Sequence, residues 1–380
     1  MIEHFDSIRP YSEQETLLVV KRLFSDPKFV QTLSIFEDKI NVDGWVKEIM
    51  SCKTQLEFHL TFANRVFHYF TDKTCSKICY SGLEKIDPNK QYLFVGNHRD
   101  IVLDSALLQI YYFQNGFEET RIAIGDNLVS TPLLVELARI HKMFLVLRSG
   151  TLKEKINHTH HLSSYIYHSL FNDKESVWIA QRNGRTKNGD DKTQQGLLKM
   201  LTYADPQNPM QLLKQMLITP VTVSYQYESC AQMKARELAL SEKTPYVKAT
   251  GEDFKSIVEG VSGYKGEVHF AIGDPLQQEF DMIPEGLNFN EKLNWLCRVI
   301  DRKIYENYYI FPQNHIAFDI QENSNRYASF YTDEEKSLFM SYLDKQSSVS
   351  DVPKEKMMRY LLDIYVNPVK NKIRSIHQDF

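Results

Sequence analysis

The sequence predicts an α/β fold, in which a mostly parallel central sheet is flanked by helices and extended by helical regions at both ends. Two observations support this fold class. Six short apolar runs typical of buried strands occur between residues 88 and 275, and segments with helical periodicity separate them. Strands that alternate with helices of this length are typical of a parallel sheet covered on both faces. We therefore expect a helical N-terminal region (1–85), an α/β core (86–285) and a helical C-terminal region (286–380).

The N-terminal region is expected to be helical. Ser12 and Glu15 have the spacing of a capping box ahead of an apolar run. Over residues 56–80, aromatic and aliphatic residues recur at helical spacing. This pattern predicts a helix that either packs on the core or lies in a membrane interface. Cys75 and Cys79 would face the same way on this helix.

The predicted core strands are apolar runs of four to seven residues with turn-forming residues around them. They are expected at 92–95, 121–124, 143–147, 176–180, 218–224 and 267–272. Helices are expected after residue 100 and at 132–140, 153–171 and 194–203. In the C-terminal region, helices are expected at 290–307, 332–345 and 354–366.

The turn after the first core strand contains the residues with the clearest chemistry. Asn97 and His98 follow the strand, and two carboxylates follow at Asp100 and Asp104. Such turns expose side chains at the end of the sheet, where open α/β folds bind ligands. A histidine beside a carboxylate has the parts of a general base and its orienting group. The alternative is that Asn97 and Asp100 only cap the following helix and that His98 is a turn residue.

This stretch resembles block I of the glycerolipid acyltransferases, the lysophosphatidic acid acyltransferase-like proteins, whose signature is N-H-x-x-x-x-D after a strand. Asn97 and His98 match the signature, but the aspartate is one residue late, because Leu103 occupies the family position and Asp104 follows it. One residue rotates a helical side chain by about 100°. Asp104 can therefore meet His98 only if the turn holds an extra residue, and Asp100 is the rival partner.

Later segments also resemble this family. A strand, a proline-containing helix and a second strand that ends at Arg148 follow in the family order, and the resemblance implies that Arg148 holds the phosphate of the acceptor. The third family block, F-P-E-G-T-R, is only partly present. Arg185 matches its arginine, whereas Arg182 replaces its glutamate. Together with Lys187, these residues predict a positive loop beside the histidine that suits an anionic group.

The resemblance covers about residues 85–225 and implies an acyltransferase. By this resemblance, His98 is the general base, acyl carrier protein or acyl-coenzyme A is the acyl donor, a lysophospholipid such as lysophosphatidate is the acceptor, and no bound cofactor is needed. Asn97 is expected to contribute to substrate binding with the cationic residues. Two alternatives stay open: another lipid acceptor, such as an amino-acid lipid, and a non-catalytic lipid-binding protein with a decayed site.

Other classes of function lack support in the sequence. The net charge of −4 gives no overall basic field for nucleic acid. Among the clustered histidines, His158 and His161 have the spacing of one helix face, but nothing nearby completes a metal site, and we expect none. The five cysteines lack paired short spacings, and no signal peptide or apolar run of 18 residues is present. We therefore expect a cytoplasmic protein that contacts the inner face of the membrane peripherally.

Overall fold

One sheet of seven strands organises the described part of the chain. The computed structural model describes residues 5–348 and 351–377. The strands lie in the order β1-β7-β6-β2-β5-β3-β4. In chain order their bounds are β1 Cys75–Ser81, β2 Leu93–Gly96, β3 Arg121–Gly125, β4 Met143–Val146, β5 Val177–Ala180, β6 Ile218–Tyr225 and β7 Gly266–Ile272.

The sheet is mostly parallel, as predicted. Strands β6, β2, β5, β3 and β4 run in one direction, whereas β7 is antiparallel to β6 and carries β1 parallel to itself. Strand β2 lies in the middle, and its last residue, Gly96, pairs with Ala180 of β5 and Val221 of β6. The chain leaves β2 towards β3 on one side and later returns to β6 on the other. The carboxyl end of β2 is thus the switch point where folds of this kind bind ligands.

Helices cover both faces of the sheet and form both extensions. Their bounds are α1 Glu13–Phe24, α2 Pro27–Thr32, α3 Val42–Ser51, α4 Gln55–Phe58, α5 Asn64–Thr74, α6 Leu103–Gln114, α7 Pro132–Ile140, α8 Leu152–Phe171, α9 Gln195–Leu201, α10 Pro209–Gln215, α11 Ala231–Leu240, α12 Glu252–Ser262, α13 Gln278–Asp281, α14 Phe289–Glu306, α15 Pro312–Gln321, α16 Asp333–Ser347 and α17 Lys354–His377. The predicted capping box of α1 is confirmed, with Ser12 as its N-cap and Glu15 as its reciprocal partner.

The six predicted core strands are confirmed. The prediction of a helix over 56–80 is wrong for its C-terminal part. A π-helical turn, His59–Ala63, joins α4 to α5, and the helix stops at Thr74. Cys75 and Cys79 lie on strand β1, at the edge of the sheet. Strand β1 pairs with β7, and the paired residues are at least 190 positions apart in the chain. Such a tertiary contact overrides local helical periodicity, and the periodicity cannot predict it.

The residues of β2 alternate between the two faces of the sheet. Leu93 and Val95 pack in a cluster with the helices α8, α9, α10 and α14. Phe94 faces the other way, into a cluster with α6 and part of α5. All three side chains are fully buried. This period of two fixes the direction of the turn that follows β2 and so positions the residues after Gly96.

The aromatic part of the N-terminal region packs on the rest of the protein. Phe67 of α5 lies in the same cluster as α6, and Phe58 of α4 is buried against the cluster around Trp45. The aromatic side chains are therefore largely used in packing. Within residues 5–348 and 351–377, no helix has both the length and the apolar character needed to cross a bilayer.

The C-terminal helices form a further cluster with part of the core. Helices α15, α16 and α17 pack around α11, which lies within the predicted core region. Helix α14 instead packs under the sheet, in the cluster of α8 and α9. The predicted division into three regions stays a prediction. The two hydrophobic clusters described here each contain residues from both sides of its boundary at residue 286.

Candidate active site

The candidate site lies in the loop between β2 and α6. This loop covers residues 97–102 and begins at the carboxyl end of the central strand. The loop that follows β5 lies beside it. The backbone amide of Thr186 donates to the carbonyl oxygen of His98 at 2.7 Å, and the amide of Gln181 donates to the carbonyl oxygen of Gly96 at 2.8 Å. The residues around His98 and the residues that resemble the third family block are therefore neighbours in space.

His98 and Asp104 form a hydrogen-bonded pair. The Nδ1 atom of His98 lies 3.0 Å from Oδ2 of Asp104. The side chain of Asp104 is 3% exposed and that of His98 is 12% exposed. A carboxylate accepts hydrogen bonds, so this contact assigns the proton of the neutral ring to Nδ1 and leaves the lone pair on Nε2. The ring thus has a free basic nitrogen, as a general base requires.

The extra residue between His98 and Asp104 is taken up by the loop. Helix α6 begins only at Leu103, so Asp104 lies in its first turn. The backbone amides of Arg99 and Asp100 donate to Oδ2 of Asp104 at 2.6 and 2.8 Å. The loop is wrapped around the carboxylate, and the departure from the family spacing leaves the contact with His98 intact.

The carboxyl group of Asp104 is held on its other side by Tyr225, whose hydroxyl donates to Oδ1 at 2.9 Å. Burial raises the pKa of Asp104 above its ordinary value, while the hydrogen bond and charge of His98 act in the opposite direction. Burial, followed by the nearby Asp104, raises the pKa of Tyr225 as well, so this phenol stays a hydrogen-bond donor. The carboxylate of Asp104 is thus held by backbone amides of the loop at one oxygen and by Tyr225 of β6 at the other.

Asp100 has a different set of partners. Its Oδ1 atom accepts the backbone amides of Val102 and Leu103 at 2.8 and 2.9 Å, and its Oδ2 atom accepts the hydroxyl of Ser229. Burial acts to raise the pKa of Asp100, but the Ser229 hydroxyl and the amides outweigh it and hold the pKa below its ordinary value. Both oxygens are used, so this geometry favours Asp104 as the partner of His98 and leaves Asp100 as a cap of α6.

Asn97 is buried and its side chain binds protein groups. Its Oδ1 accepts the amide of Val223 at 2.8 Å, and its Nδ2 donates to the carbonyl of Val223 and to Asp191, each at 3.0 Å. These contacts fasten the end of β2 to β6. The sequence predicted substrate binding by Asn97, whereas the structure gives its amide a set of structural contacts.

A buried charge network lies behind His98. Arg99 donates to Asp191 at 2.8 Å and to Glu228 at 3.2 Å, and Lys234 donates to Glu228 at 2.5 Å. All four side chains are buried. Burial acts to raise the pKa of Asp191, but the charge of Arg99 outweighs it and the pKa lies below its ordinary value. Lys234 also donates to the carbonyl oxygen of Arg99 at 2.6 Å, so the network fixes the residue next to His98.

His98 opens into a cavity of about 620 Å³ at the carboxyl edge of the sheet. Three residues that the sequence predicted for binding, Arg148, Arg182 and Arg185, line the same cavity. The Nε atom of Arg182 and the Nη1 atom of Arg185 are buried and have no hydrogen-bond partner among the described residues. Guanidinium groups with buried, unused donors are suited to an anionic ligand.

The cavity is positively charged beyond these three arginines. Lys155 and Lys248 also line it, and Asp253 is the carboxylate among its lining residues. Lys248 donates to Asp253 at 2.5 Å. Lys155 comes from helix α8, Lys248 from the segment before α12 and Asp253 from the first turn of α12, all outside the motifs that pointed to the site. Lys187 does not line the cavity and forms an ion pair with Glu237 instead.

Arg148 has space at the end of β4 because a glycine lies beneath it. A Cβ atom on Gly125 would lie 3.0 Å from Cζ of Arg148 and 2.6 Å from Oδ1 of Asn127. Arg148 donates to this Oδ1 at 3.3 Å. Burial lowers the pKa of Arg148, while Asp126 and Asp253 act in the opposite direction. A guanidinium still keeps its proton under such conditions.

A second cavity of about 260 Å³ adjoins the first. It lies between α5 and α6 and is lined mainly by apolar side chains, among them Phe67, which belongs to the stretch predicted to pack on the core or to touch a membrane. Three residues line both cavities: Ser105, Ile122 and Met143. The polar cavity with His98 and the apolar cavity are therefore separated by a shared wall.

The clustered histidines of α8 have separate surroundings. His158 lines the polar cavity, the ring of His160 stacks on Tyr203 at 4.4 Å, and the ring of His161 lies 5.1 Å from that of Phe5. In the described residues, no group of three or more histidine, cysteine, aspartate or glutamate side chains has the arrangement of a metal site.

Comparison with known proteins identifies the domain that contains this site. The model of the Acyltransferase family matches residues 77–224. A crystal structure of the 1-acyl-sn-glycerophosphate (LPA) acyltransferase PlsC from Thermotoga maritima is 12% identical, covers 77% of this chain and 97% of that chain, and has a TM-score of 0.40. The signal recognition particle 54 kDa protein of Aeropyrum pernix K1, in complex with GDP, is 10% identical, with coverage of 91% and 87% and a TM-score of 0.22.

Neither structural similarity is close enough to carry an argument about activity. None of the curated proteins compared with the chain matches it. The family match contains His98, Asp104 and all three cavity arginines, and the predicted resemblance is confirmed at the level of the family. Residues 77–224 of this chain are an acyltransferase-family domain.

Proposed function

We propose that this protein transfers a fatty acyl group from the thioester of acyl carrier protein or coenzyme A to a hydroxyl of a lysophospholipid such as lysophosphatidate. One observation carries the proposal: the His98–Asp104 pair opens into a cavity that has cationic walls and adjoins an apolar cavity. A base, an anion site and an apolar site are the three features that this reaction needs. The enzyme would act in the cytoplasm, at the inner face of the membrane.

His98 acts as the general base in this proposal. Its Nε2 atom takes the proton of the acceptor hydroxyl as the oxygen attacks the thioester carbonyl. A carbon–oxygen bond forms, the carbon–sulfur bond breaks, and the proton passes from Nε2 to the leaving sulfur. Asp104 keeps the ring in the tautomer that this step requires and stabilises its charged form. The ring returns to its starting state at the end of one turnover.

The cavity arginines bind the phosphate of the acceptor. Arg148, Arg182 and Arg185 line the wall of the cavity that contains His98, and two of them have unused buried donors. Guanidinium groups bind phosphate through paired hydrogen bonds. Lys187, which the sequence also suggested, is paired with Glu237, and we assign it no contact with substrate.

The acyl chain of the donor occupies the apolar cavity between α5 and α6. Its walls offer an acyl chain the burial that drives lipid binding. Because Ser105, Ile122 and Met143 line both cavities, a movement of these side chains would join them. The thioester carbonyl would then lie at the junction, near His98.

A transfer assay tests the proposal. The purified protein is given acyl carrier protein or coenzyme A carrying a labelled acyl group, with lysophosphatidate, a phosphate-free lysolipid or an amino-acid lipid as acceptor. We expect acylated product from lysophosphatidate, with a strong preference over the phosphate-free acceptor. Transfer to the amino-acid lipid alone, independent of Arg148, would favour that acceptor. Absence of any product from folded protein that still binds lipid would favour a non-catalytic role.

A further inference from the structure

One of the clustered histidines on α8 faces the polar cavity without a protein partner. His158 lines this cavity, and its Nδ1 atom is buried and has no hydrogen-bond partner among the described residues. A buried polar atom of this kind is normally met by a ligand or by water. His158 is therefore a potential binding group that the proposed acyl transfer leaves unused.

A lysine on the same face of α8 accompanies His158. Lys155, His158 and Leu162 all line the cavity, and their intervals of three and four residues place them on one face of the helix. The ammonium group of Lys155 has no hydrogen bond or ion pair with the described residues. The nearby carboxylate of Glu154 does not line the cavity, because it caps the helix by accepting the amide and the hydroxyl of Thr151 at 2.7 and 2.8 Å.

Other cationic residues of the cavity belong to a separate group around Asp253. Lys248 donates to Asp253 at 2.5 Å. Asn127 connects Asp253 to Arg148, because it donates to the former and accepts from the latter, each at 3.3 Å. In the described residues, this group has no hydrogen bond or ion pair with the side chains of the α8 face. The cavity therefore contains two groups of basic side chains, which different elements position.

The positive charge of the cavity exceeds what a single phosphate supplies. Five lysine and arginine side chains line it against one carboxylate, which leaves a net charge of +4. A phosphate monoester carries a charge of about −1.5 to −2 at pH 7. One acceptor phosphate on the arginines would thus leave about two positive charges without a counterion. A second anion would balance them, and Lys155 and His158 have donors that no described protein group uses.

We propose that Lys155 and His158 form a second anion subsite in the polar cavity, which takes a phosphate or carboxylate group of a bound substrate. The ammonium group supplies a charge and three donors, and the imidazole supplies an N–H donor. Two substrates could provide the anion: an acceptor with a second anionic group in its headgroup, or the phosphate of the pantetheine arm of the acyl donor. The link to a substrate rests on the proposed function, whereas the anion subsite itself does not.

Titration with inorganic phosphate tests the subsite without any turnover. The full chain is prepared with isotope-labelled histidine for NMR, and the Cε1 resonance of His158 is identified by its loss in His158→Gln. Phosphate should shift this resonance in wild type and also in Arg148→Ala, because the two groups of basic side chains are separate. In Lys155→Ala, the phosphate concentration at half the shift should rise roughly 10- to 100-fold. Lys153→Ala, at an exposed position of α8 outside the cavity lining, is the matched control.

The absence of any phosphate-dependent shift in wild type would overturn the proposal. Equal midpoints in Lys155→Ala and Lys153→Ala would overturn it as well. Both outcomes are independent of acyl transfer, so they remain decisive if the wild-type protein transfers no acyl group and the proposed function fails.

Transfer assays then identify the source of the anion. One arm compares lysophosphatidate with a lysophospholipid that carries two phosphate groups, and the other compares an acyl pantetheine with an acyl phosphopantetheine as donor. The subsite variant carries Lys155→Ala and His158→Gln. The matched control carries Lys153→Ala and His160→Gln, at exposed positions of the same helix. Circular dichroism establishes that both variants fold.

We expect the preference for the additional phosphate to fall at least about tenfold in the subsite variant, in one arm of the assay, and to stay at the wild-type level in the control. A fall in the acceptor arm would assign the subsite to the headgroup, and a fall in the donor arm would assign it to the pantetheine phosphate. Unchanged preferences in both arms would contradict the claim that the subsite binds a substrate.

Discussion

The Nδ1 atom of His98 lies 3.0 Å from Oδ2 of Asp104, although six positions separate the two residues in the chain. The contact is possible because the intervening residues form a loop and not a helical turn. The same Oδ2 atom accepts the backbone amides of Arg99 and Asp100, so the carboxylate also organises the loop that holds the imidazole. Orientation of His98 and folding of the loop therefore depend on one group.

Exchange of each aspartate for asparagine distinguishes the two candidate partners of His98. In Asp104→Asn, a neutral amide replaces the group that fixes the tautomer and balances the charged ring, so turnover should fall about 10²- to 10⁴-fold. In Asp100→Asn, the amide oxygen can still cap α6 and the amide nitrogen can donate to Ser229, so turnover should fall less than about tenfold. Steady-state kinetics on both variants checks this, and a larger loss in Asp100→Asn would reverse the assignment.

Removal of the Arg148 guanidinium should weaken acceptor binding specifically. Arg148→Ala takes away charge-assisted hydrogen bonds that are worth about 1.5–3 kcal/mol, so the KM for lysophosphatidate should rise roughly 10- to 100-fold. The KM for the acyl donor should change little. Lys187→Ala is the matched control, because Lys187 forms its ion pair with Glu237 outside the cavity. An equal effect of both substitutions on the acceptor KM would contradict the assignment of the phosphate site.

Filling the apolar cavity should shorten the acyl chains that the protein accepts. Ala106 of α6 lines this cavity. Ala106→Phe would occupy part of its volume, and a long acyl chain would then lose burial worth about 0.8 kcal/mol per methylene group. Rates measured over a series of donor chain lengths should fall for the longest chains and stay near wild type for the shortest. A uniform loss across all lengths would indicate that the acyl chain binds elsewhere.

Asp301 should make the stability of the protein depend on pH. Burial, followed by the nearby Asp191 and Asp190, raises the pKa of Asp301 to about 7, although it accepts the amide and hydroxyl of Thr193 at 2.7 and 2.6 Å. Between the unfolded pKa of about 3.9 and this folded value, the folded protein binds more protons than the unfolded one. The ionisation of Asp301 therefore lowers the free energy of unfolding progressively as pH rises through this window.

Asp301→Asn removes this ionisation but keeps an oxygen that can accept from Thr193. The free energy of unfolding of the variant, relative to that of wild type, should increase between pH 5.5 and pH 8. The increase should be up to about 2 kcal/mol, since one pKa unit is worth about 1.4 kcal/mol. Urea unfolding curves at both pH values measure the difference. A gap between variant and wild type that is constant with pH would mean that Asp301 titrates near its ordinary value.

Local sequence signals predicted most of the elements that position the site. The core strands are short apolar runs that are buried on both faces, and such runs are recognisable without knowledge of their partners. Strand β1 was not predicted because it is a half-buried edge strand and its partner, β7, lies far along the chain. Its residues also continue a helical periodicity, and only the pairing with β7 ends the helix at Thr74.

The partners of the site residues were less predictable than the residues themselves. Asp191 and Glu228, which bind Arg99, come from loops 92 and 129 positions away, and no motif marks them. Arg185 and Lys187 lie two residues apart in one loop, yet Arg185 lines the cavity and Lys187 does not. In a loop without a regular period, the sequence does not determine the direction of each side chain.

The central claim is that His98 is the base of an acyl transfer, and the rate of transfer to lysophosphatidate in His98→Ala tests it most directly. Loss of the base should lower turnover about 10²- to 10⁴-fold. The circular dichroism spectrum and the unfolding curve should stay those of the wild type, because the imidazole lies at the edge of a cavity and not in the core. A folded His98→Ala protein that transfers acyl groups at the wild-type rate would contradict the account.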